Sequence, residues 1–453
     1  MNLSKSSIWF LCAMFSFSFT YFPAETKGSE KIFQYPINIR VLENGLKVVS
    51  VEFDSPGLIA FYTIVRTGSR NEVEEGKSGF AHFFEHMMFR GTEKFSSTGY
   101  NDILKGVGAD HNAFTNDDIT AYHSLSSSDA LEAIMDIESD RFQNLKYDEE
   151  DFKKEAGAVL GEYRKSITSP FLPVIEKLRD TAYNTHTYKH TTIGFLKDIE
   201  DMPNQYEHSL YFFDTYYRPK NCVILVVGDV NHESLMALAE EYYGKWESGP
   251  EQPEVPREAP QTEEKREKLG WENPTLPIMA IGYHGPAFSD SEIDMPALDL
   301  LSELAFSPSS PLFRKLVIEE QLVDFIQGSA GDKRDPTMFI IFTRVKDAAD
   351  VEMVEQEIYK ALEDAKNVPV DEERLASIKS HMKYQFAMGL NSPKSVAGTL
   401  AHYIGLTGDP ETVNRVYELY DRVTAEDIQN VTKKYFNDEN KTVVNLSYDG
   451  DKQ

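Results

Sequence analysis

The chain has 453 residues, 41% of them hydrophobic and 12% aromatic, enough for two or more domains with large cores and too apolar for a disordered protein. Its 74 acidic residues outnumber 46 basic ones, giving a formal net charge of −28. No long basic block occurs, which argues against nucleic acid as a partner; much of the charge serves solubility, and it would attract rather than repel a cationic peptide.

The amino terminus reads as a targeting segment. Lys5 precedes an uncharged run from Ile8 to Phe22, followed by Pro23-Ala24 and a polar stretch. A positive start and a short, serine-containing apolar run fit a signal peptide over residues 1–24, cut near Ala24, with an uncleaved anchor as the alternative. Export to the bacterial periplasm follows from that reading. With the segment removed, Cys222 is the one cysteine left, so the mature chain has no internal disulfide and its stability must come from its core.

Residues 37–51 alternate in polarity about Asn44-Gly45, which predicts a hairpin, and 59–65 reads as a further strand. Residues 82–86 are His-Phe-Phe-Glu-His. On a helix, positions i and i+4 lie one turn apart on one face, so His82 and His86 can aim both imidazoles at one metal ion. Glu85 lies beside them, placed to act as a base on water. The string is the inverted form of the zincin signature. A short helix from Gly99 to Gly108 is expected next, then strands between Ala109 and Leu125 around Asn112-Ala113-Phe114-Thr115, and an amphipathic helix from Ser128 to Phe142.

A two-histidine site needs a third protein ligand. Residues 148–165 read as a helix capped by Asp148, with acids in the first turn and bases in the last. Glu155 and Glu162 are two turns apart on one face, next to Phe152 and Val159, a stripe expected to be buried. One carboxylate as ligand and the other as its outer partner would account for both. Taken singly, each residue has an ordinary reading: a core histidine, a solvated glutamate, and for Asn112 a turn residue. The combination is what is specific.

Cys222 to Gly228 reads as a buried strand and His232 to Trp246 as a helix. From Glu247 to Lys268 the composition turns to Glu, Pro, Gln and Lys, a solvated linker. This divides the chain into a metal-binding catalytic domain (32–248), a linker (249–269) and a second domain (270–453). The halves look like a diverged repeat. Pro296 to Phe306 aligns with Gly79 to Phe89, setting Asp299, Ser302 and Glu303 against His82, Glu85 and His86, and Lys434 to Val444 echoes Tyr216 to Ile224. The second half has lost the metal-site residues and is expected to be a wall or clamp.

Together these features resemble the pitrilysin, insulin-degrading enzyme and mitochondrial processing peptidase family over essentially the whole mature chain. The similarity is carried by Gly68-Ser-Arg-Asn-Glu72, Gly79 to Glu93, Asn112-Ala-Phe-Thr115, the Glu155–Glu162 helix and Tyr217-Arg-Pro-Lys-Asn221. The resemblance implies an α+β fold of two homologous domains, each a mostly antiparallel sheet with helices packed on one face, the whole forming half of a clamshell. It implies one zinc ion per chain held by His82, His86 and Glu162, Glu85 as general base, and Glu155 as an outer-shell carboxylate. Asn112, Ala113 and Phe114 would hold an extended peptide substrate by strand addition. A non-catalytic binding or assembly subunit, as some members are, fits less well because the zinc motif is intact.

One departure stands out. Single-chain and homodimeric members carry an arginine and a tyrosine for the substrate carbonyl in a second-half stretch that here runs from Leu316 to Phe325. Val317 or Ile318 takes the arginine position and Phe325 the tyrosine position, and neither can donate a hydrogen bond. Arg314 lies about one turn earlier. The expected assembly is therefore a heterodimer with a paralogue that lacks the zinc motif and supplies the Arg–Tyr pair, with a homodimer as the alternative.

Overall fold

The computed structural model describes residues 31–452; the targeting segment read over residues 1–24 lies outside them. The first half folds around six strands: β1 (Ile37–Val41), β2 (Lys47–Glu52), β3 (Leu58–Val65), β4 (Asp110–Thr115), β5 (Thr120–Ser127) and β6 (Cys222–Gly228), in the spatial order β1-β2-β6-β3-β5-β4. The β1–β2 hairpin forms as expected around Asn44-Gly45, with Gly45 at φ 92°. Its helices are α1 (Phe80–Met87), α2 (Ser97–Gly106), α3 (Leu131–Asn144), α4 (Glu149–Ser166), α5 (Phe171–Ala182), α6 (Leu196–Asp201), α7 (Tyr206–Tyr216) and α8 (His232–Tyr243). The helix read from Ser128 begins at Leu131 after a single 3₁₀ turn, and that read to Trp246 ends at Tyr243.

The second half repeats the plan. β7 (Lys265–Trp271), β8 (Ile278–His284), α9 (Asp294–Phe306), α10 (Pro311–Phe313), β9 (Val323–Ala330), β10 (Met338–Val345), α11 (Val351–Asn367), α12 (Glu372–Gly389), α13 (Pro393–Thr407), α14 (Thr412–Arg422), α15 (Ala425–Tyr435) and β11 (Lys441–Tyr448) follow in order. The sheet runs β7-β11-β8-β10-β9, the order of β2-β6-β3-β5-β4 strand for strand. Each sheet has one parallel pair, β2–β6 in the first and β7–β11 in the second, and its other pairs, β1–β2 included, are antiparallel. The repeat extends to side chains: Asn221 and Asn440 each donate Nδ2 to the carbonyl five residues back, of Tyr216 and Tyr435, at 2.9 and 2.8 Å.

Strand β7 starts inside the stretch read as linker. Lys265, Glu267, Leu269 and Trp271 are half-buried in alternation with exposed residues, and Arg266 pairs with Glu355. Its charge hid a period of two. The linker itself is pinned. Glu258 accepts backbone N–H groups from Asn184, Thr185 and His186 at 2.8–2.9 Å.

Each half packs its own helices on one face of its sheet, and the opposite face is covered by a helix from the other half. Val174 and Leu178 of α5 join Ile278, Ala280 and Val444 of the second sheet. Leu400 and Ile404 of α13 join Val49, Ile64 and Leu225 of the first. Because of this exchange the halves interlock, and the chain from Ile32 on is one compact unit. The β4–β5 and β9–β10 turns meet in the middle, where Asp117 pairs with Arg179 at 2.9 Å and with Lys333. This leaves β4 as an open sheet edge in front of α1.

Candidate metal centre

Helix α1 has two turns and an apolar underside. Phe80, Ala81, Phe83, Phe84 and Met87 are buried in the first core, and the Tyr122 hydroxyl donates to the Phe84 carbonyl at 3.1 Å. This packing fixes the opposite face, where His82, Glu85 and His86 emerge side by side. The two imidazoles cross at 75° with ring centroids 4.8 Å apart.

Helix α4 supplies the rest. Asp148 caps it by accepting from Asp151 N, and Phe152, Glu155, Ala156, Val159 and Tyr163 form its buried stripe. Glu162 Oε2 stands 3.6 Å from His82 Nε2 and 3.6 Å from His86 Nε2. Among the described residues, His82, His86 and Glu162 are the one set of three whose ligand atoms gather, all within 4.8 Å of one another. Zinc bonds of about 2.0–2.1 Å place tetrahedral ligand atoms about 3.4 Å apart, so this donor set fits zinc with little movement. Burial lowers the His82 pKa, with His86 adding to the effect, which keeps that imidazole in its ligating neutral form.

The second carboxylate has a different environment. Glu155 is buried, and its Oε1 lies 2.9 Å from His86 Nδ1. Oε2 accepts from Arg90 Nε at 2.6 Å and from Nη2 of the same guanidinium. Burial pushes the Glu155 carboxyl up, but the hydrogen bonds from His86 and Arg90 outweigh it and hold the group below its usual range. The same hydrogen bond raises the His86 pKa. Glu162, in contrast, is exposed at its position on α4, because that part of the stripe faces the cleft instead of the core.

Glu85 accepts a hydrogen bond of 2.6 Å from the Thr115 hydroxyl at the end of β4. His111, Ala113 and Thr115 turn towards the first core and α1, while Asp110, Asn112 and Phe114 turn the other way and are exposed. The Asn112 side-chain Oδ1 accepts from the Ala113 backbone N–H at 2.9 Å, and the Phe114 ring sits 6.4 Å from that of His123. Asn112, Ala113 and Phe114 thus lie on the open edge that leads to Glu85. A cavity of about 380 Å³ adjoins Glu85 and is lined also by His86, Phe89, Arg90, Ser97 and Glu155.

Arg90 and Thr115 also belong to the site, though no sequence motif marks either as a site residue. Arg90 lies one turn beyond His86, and its spacing was a usable signal. Thr115 ended a stretch already singled out, but nothing in it pointed to Glu85.

The counterpart in the second half is closed. Asp299 accepts from the Tyr420 hydroxyl, and Ser302 donates to the Gly328 carbonyl. Burial, with Asp332 adding to it, pushes the Asp299 carboxyl up to about 8. In the departing stretch, residues Arg314–Glu319 form a π-helical turn in which Arg314 is tied to its own Glu319 at 2.7 Å. Val317 packs on the second core, Ile318 is exposed, and Phe325 lies among Phe171 and Phe342.

Comparison with known proteins agrees with this architecture. Residues 59–194 match the insulinase family (peptidase family M16), and residues 205–382 match its companion described as the peptidase M16 inactive domain. The zinc protease PqqE of Helicobacter pylori is 30% identical over 412 residues, 89% of this chain and 91% of that protein. The beta subunit of the bovine (Bos taurus) mitochondrial-processing peptidase is 31% identical over 210 residues, 46% of this chain and 41% of that one. The crystal structure of a protease from Helicobacter pylori superposes with a TM-score of 0.86 at 29% identity, covering 92% of this chain and 100% of that one. The chain belongs to the insulinase family of peptidases, M16.

Proposed function

Starting from that membership, we propose that this chain is a zinc-dependent endopeptidase or oligopeptidase acting on extended peptides. The observation that carries this reading is the convergence of His82, His86 and Glu162 beside Glu85 at the open edge of β4. The three ligands would hold one zinc ion, which supplies Lewis acidity to polarise a carbonyl and acidify water. Glu155 and Arg90 hold the His86 ring in register by its Nδ1 proton. Glu85, steadied by Thr115, takes a proton from the attacking water and passes it to the leaving amine. A peptide enters as an added strand along Asn112, Ala113 and Phe114, displacing the Asn112 side chain from the Ala113 N–H. Backbone pairing makes recognition tolerant of sequence.

The decisive experiment is Glu85→Gln. Zinc content should stay at one per chain while peptide cleavage is lost, and chelation should silence the wild type. Cleavage at the wild-type rate by Glu85→Gln would sink the mechanism.

The chain is also read as one half of a clamshell dimer. Val317, Ile318 and Phe325 offer no donor for a developing oxyanion, and Arg314 is engaged with Glu319. A paralogue without the zinc motif would bring the Arg–Tyr pair. The alternative is a subunit that binds or assembles without catalysis, and reconstitution separates the two: zinc-loaded chain inactive with and without such a paralogue favours the alternative. A fully active homodimer removes the need for a heterodimer. We read the chain as exported to the periplasm on the strength of residues 1–24; retention in the cytoplasmic fraction would contradict this.

A further inference from the structure

The Gly68-Ser-Arg-Asn-Glu72 motif has no part in the chemistry above, yet it ends on a carboxyl group excluded from solvent. The Glu72 side chain has 0% exposure. Its Oε2 accepts from the Gly79 backbone N–H at 2.7 Å and its Oε1 from the Ala81 N–H at 2.7 Å. Burying a carboxyl group is costly unless its oxygens are satisfied, and here both are spent on the start of α1.

Helix α1 needs this help. The first N–H groups of any helix have no partner within it, and its N-cap, Gly79, sits at φ 94° with no side chain to offer. Gly79 cannot be exchanged for a capping residue, because a Cβ there would lie 2.7 Å from the Ile193 carbonyl oxygen. The segment ahead is tied down separately: the Ser78 hydroxyl donates to Asp198 at 2.6 Å and accepts from Phe195 N at 2.8 Å. Neighbouring His190 is neutral, its pKa pushed by burial down to about 4, and its Nδ1 lies 3.0 Å from the Thr191 carbonyl oxygen.

The two metal-site histidines differ in how they are held. His86 Nδ1 has Glu155, backed by Arg90. His82 Nδ1 is buried with no hydrogen-bond partner among the described residues. His82 is the residue directly after Ala81, whose N–H Glu72 grips. We propose that Glu72 is a positioning residue for His82: its carboxyl group fixes the first turn of α1, and with it the direction of that imidazole, in place of the side-chain partner that Glu155 gives His86.

This rests on the reading of His82, His86 and Glu162 as a zinc site. Zinc affinity is therefore measured by competition with a chelator for wild type, Glu72→Gln and Glu355→Gln, alongside the melting temperature of each zinc-free protein. Gln offers one acceptor where Glu offers two and turns an N–H donor towards another. Glu355→Gln removes the charge of a buried carboxylate paired with the exposed Arg266 in the second half and controls for lost stability alone. Glu72→Gln should bind zinc about 10-fold more weakly or worse, and Glu355→Gln as tightly as wild type. A changed absorption spectrum of the cobalt-substituted Glu72→Gln protein would agree. Unchanged zinc affinity in Glu72→Gln overturns the proposal, whereas a wild type that binds no zinc overturns the site reading instead. Should Glu72→Gln not fold, the titration is read on Glu72→Asp, whose carboxyl group is one methylene shorter, and wild-type affinity there overturns the assignment equally.

Discussion

Helices α1 and α9 stand at equivalent places on two sheets of the same strand order, yet among the described residues α1 carries side chains that could hold a metal ion and α9 carries no such set. Around α1 the polar residues are held from outside and left open in front. Arg90 and Glu155 hold His86, Thr115 holds Glu85, and Glu72 holds the first turn. Around α9 they are closed off, with Asp299 on Tyr420 and Ser302 on a strand carbonyl. The scaffold alone therefore does not make a site. What distinguishes the halves is whether donors converge on an open position or are consumed by neighbours.

The comparison can be broken or sharpened in order of expected effect. Glu85→Gln should lower kcat by about 10²–10⁴-fold with zinc retained, while Ser302→Ala at the matching position leaves kcat unchanged; peptide kinetics with metal analysis decide it. Glu155→Gln should weaken zinc binding by about 10–100-fold, and Tyr420→Phe in the second half should leave it as it was, both read by chelator competition. Thr115→Val removes the hydrogen bond that Glu85 accepts from the Thr115 hydroxyl and should reduce kcat about fivefold, the equivalent of ~1 kcal/mol, with KM held.

The last test reads stability instead of activity or zinc binding. Burial, with Asp332 adding to it, pushes the Asp299 carboxyl up to about 8 from an ordinary value of 3.8. Between those values the unfolded carboxyl ionises first, so this group lowers stability progressively as pH rises from about 4 to about 8. Asp299→Asn cannot ionise. Its melting temperature relative to wild type should climb through that window and level off above it, with zinc affinity unaffected. A flat difference, or altered zinc binding, would mean Asp299 is not the enclosed, idle remnant described here.

The parts of the site legible in sequence were those set by one helix or one pair of turns. His82, Glu85 and His86 share a face because 3.6 residues make a turn, and Glu155 and Glu162 share another for the same reason. The decayed repeat was visible too, since Asp299, Ser302 and Glu303 align with them without a gap. Glu162 was expected within a buried stripe and is exposed, because periodicity states which face a residue is on and not where the core ends along the helix. The β7 strand was hidden in charge, its half-buried Lys265 and Glu267 looking like linker.

Sequence by itself determined the types of the candidate ligands, their spacing on α1 and α4, and a repeat whose second copy has Asp299, Ser302 and Glu303 where the first has His82, Glu85 and His86. Covalent geometry dictates these patterns over a few residues, whatever surrounds them. Tertiary structure decided the exchange of α5 and α13, the grip of Arg90 on Glu155, of Thr115 on Glu85 and of Glu72 on the start of α1. Those contacts join elements that only packing brings together, and a hydrogen bond between segments leaves no periodicity along the chain to read.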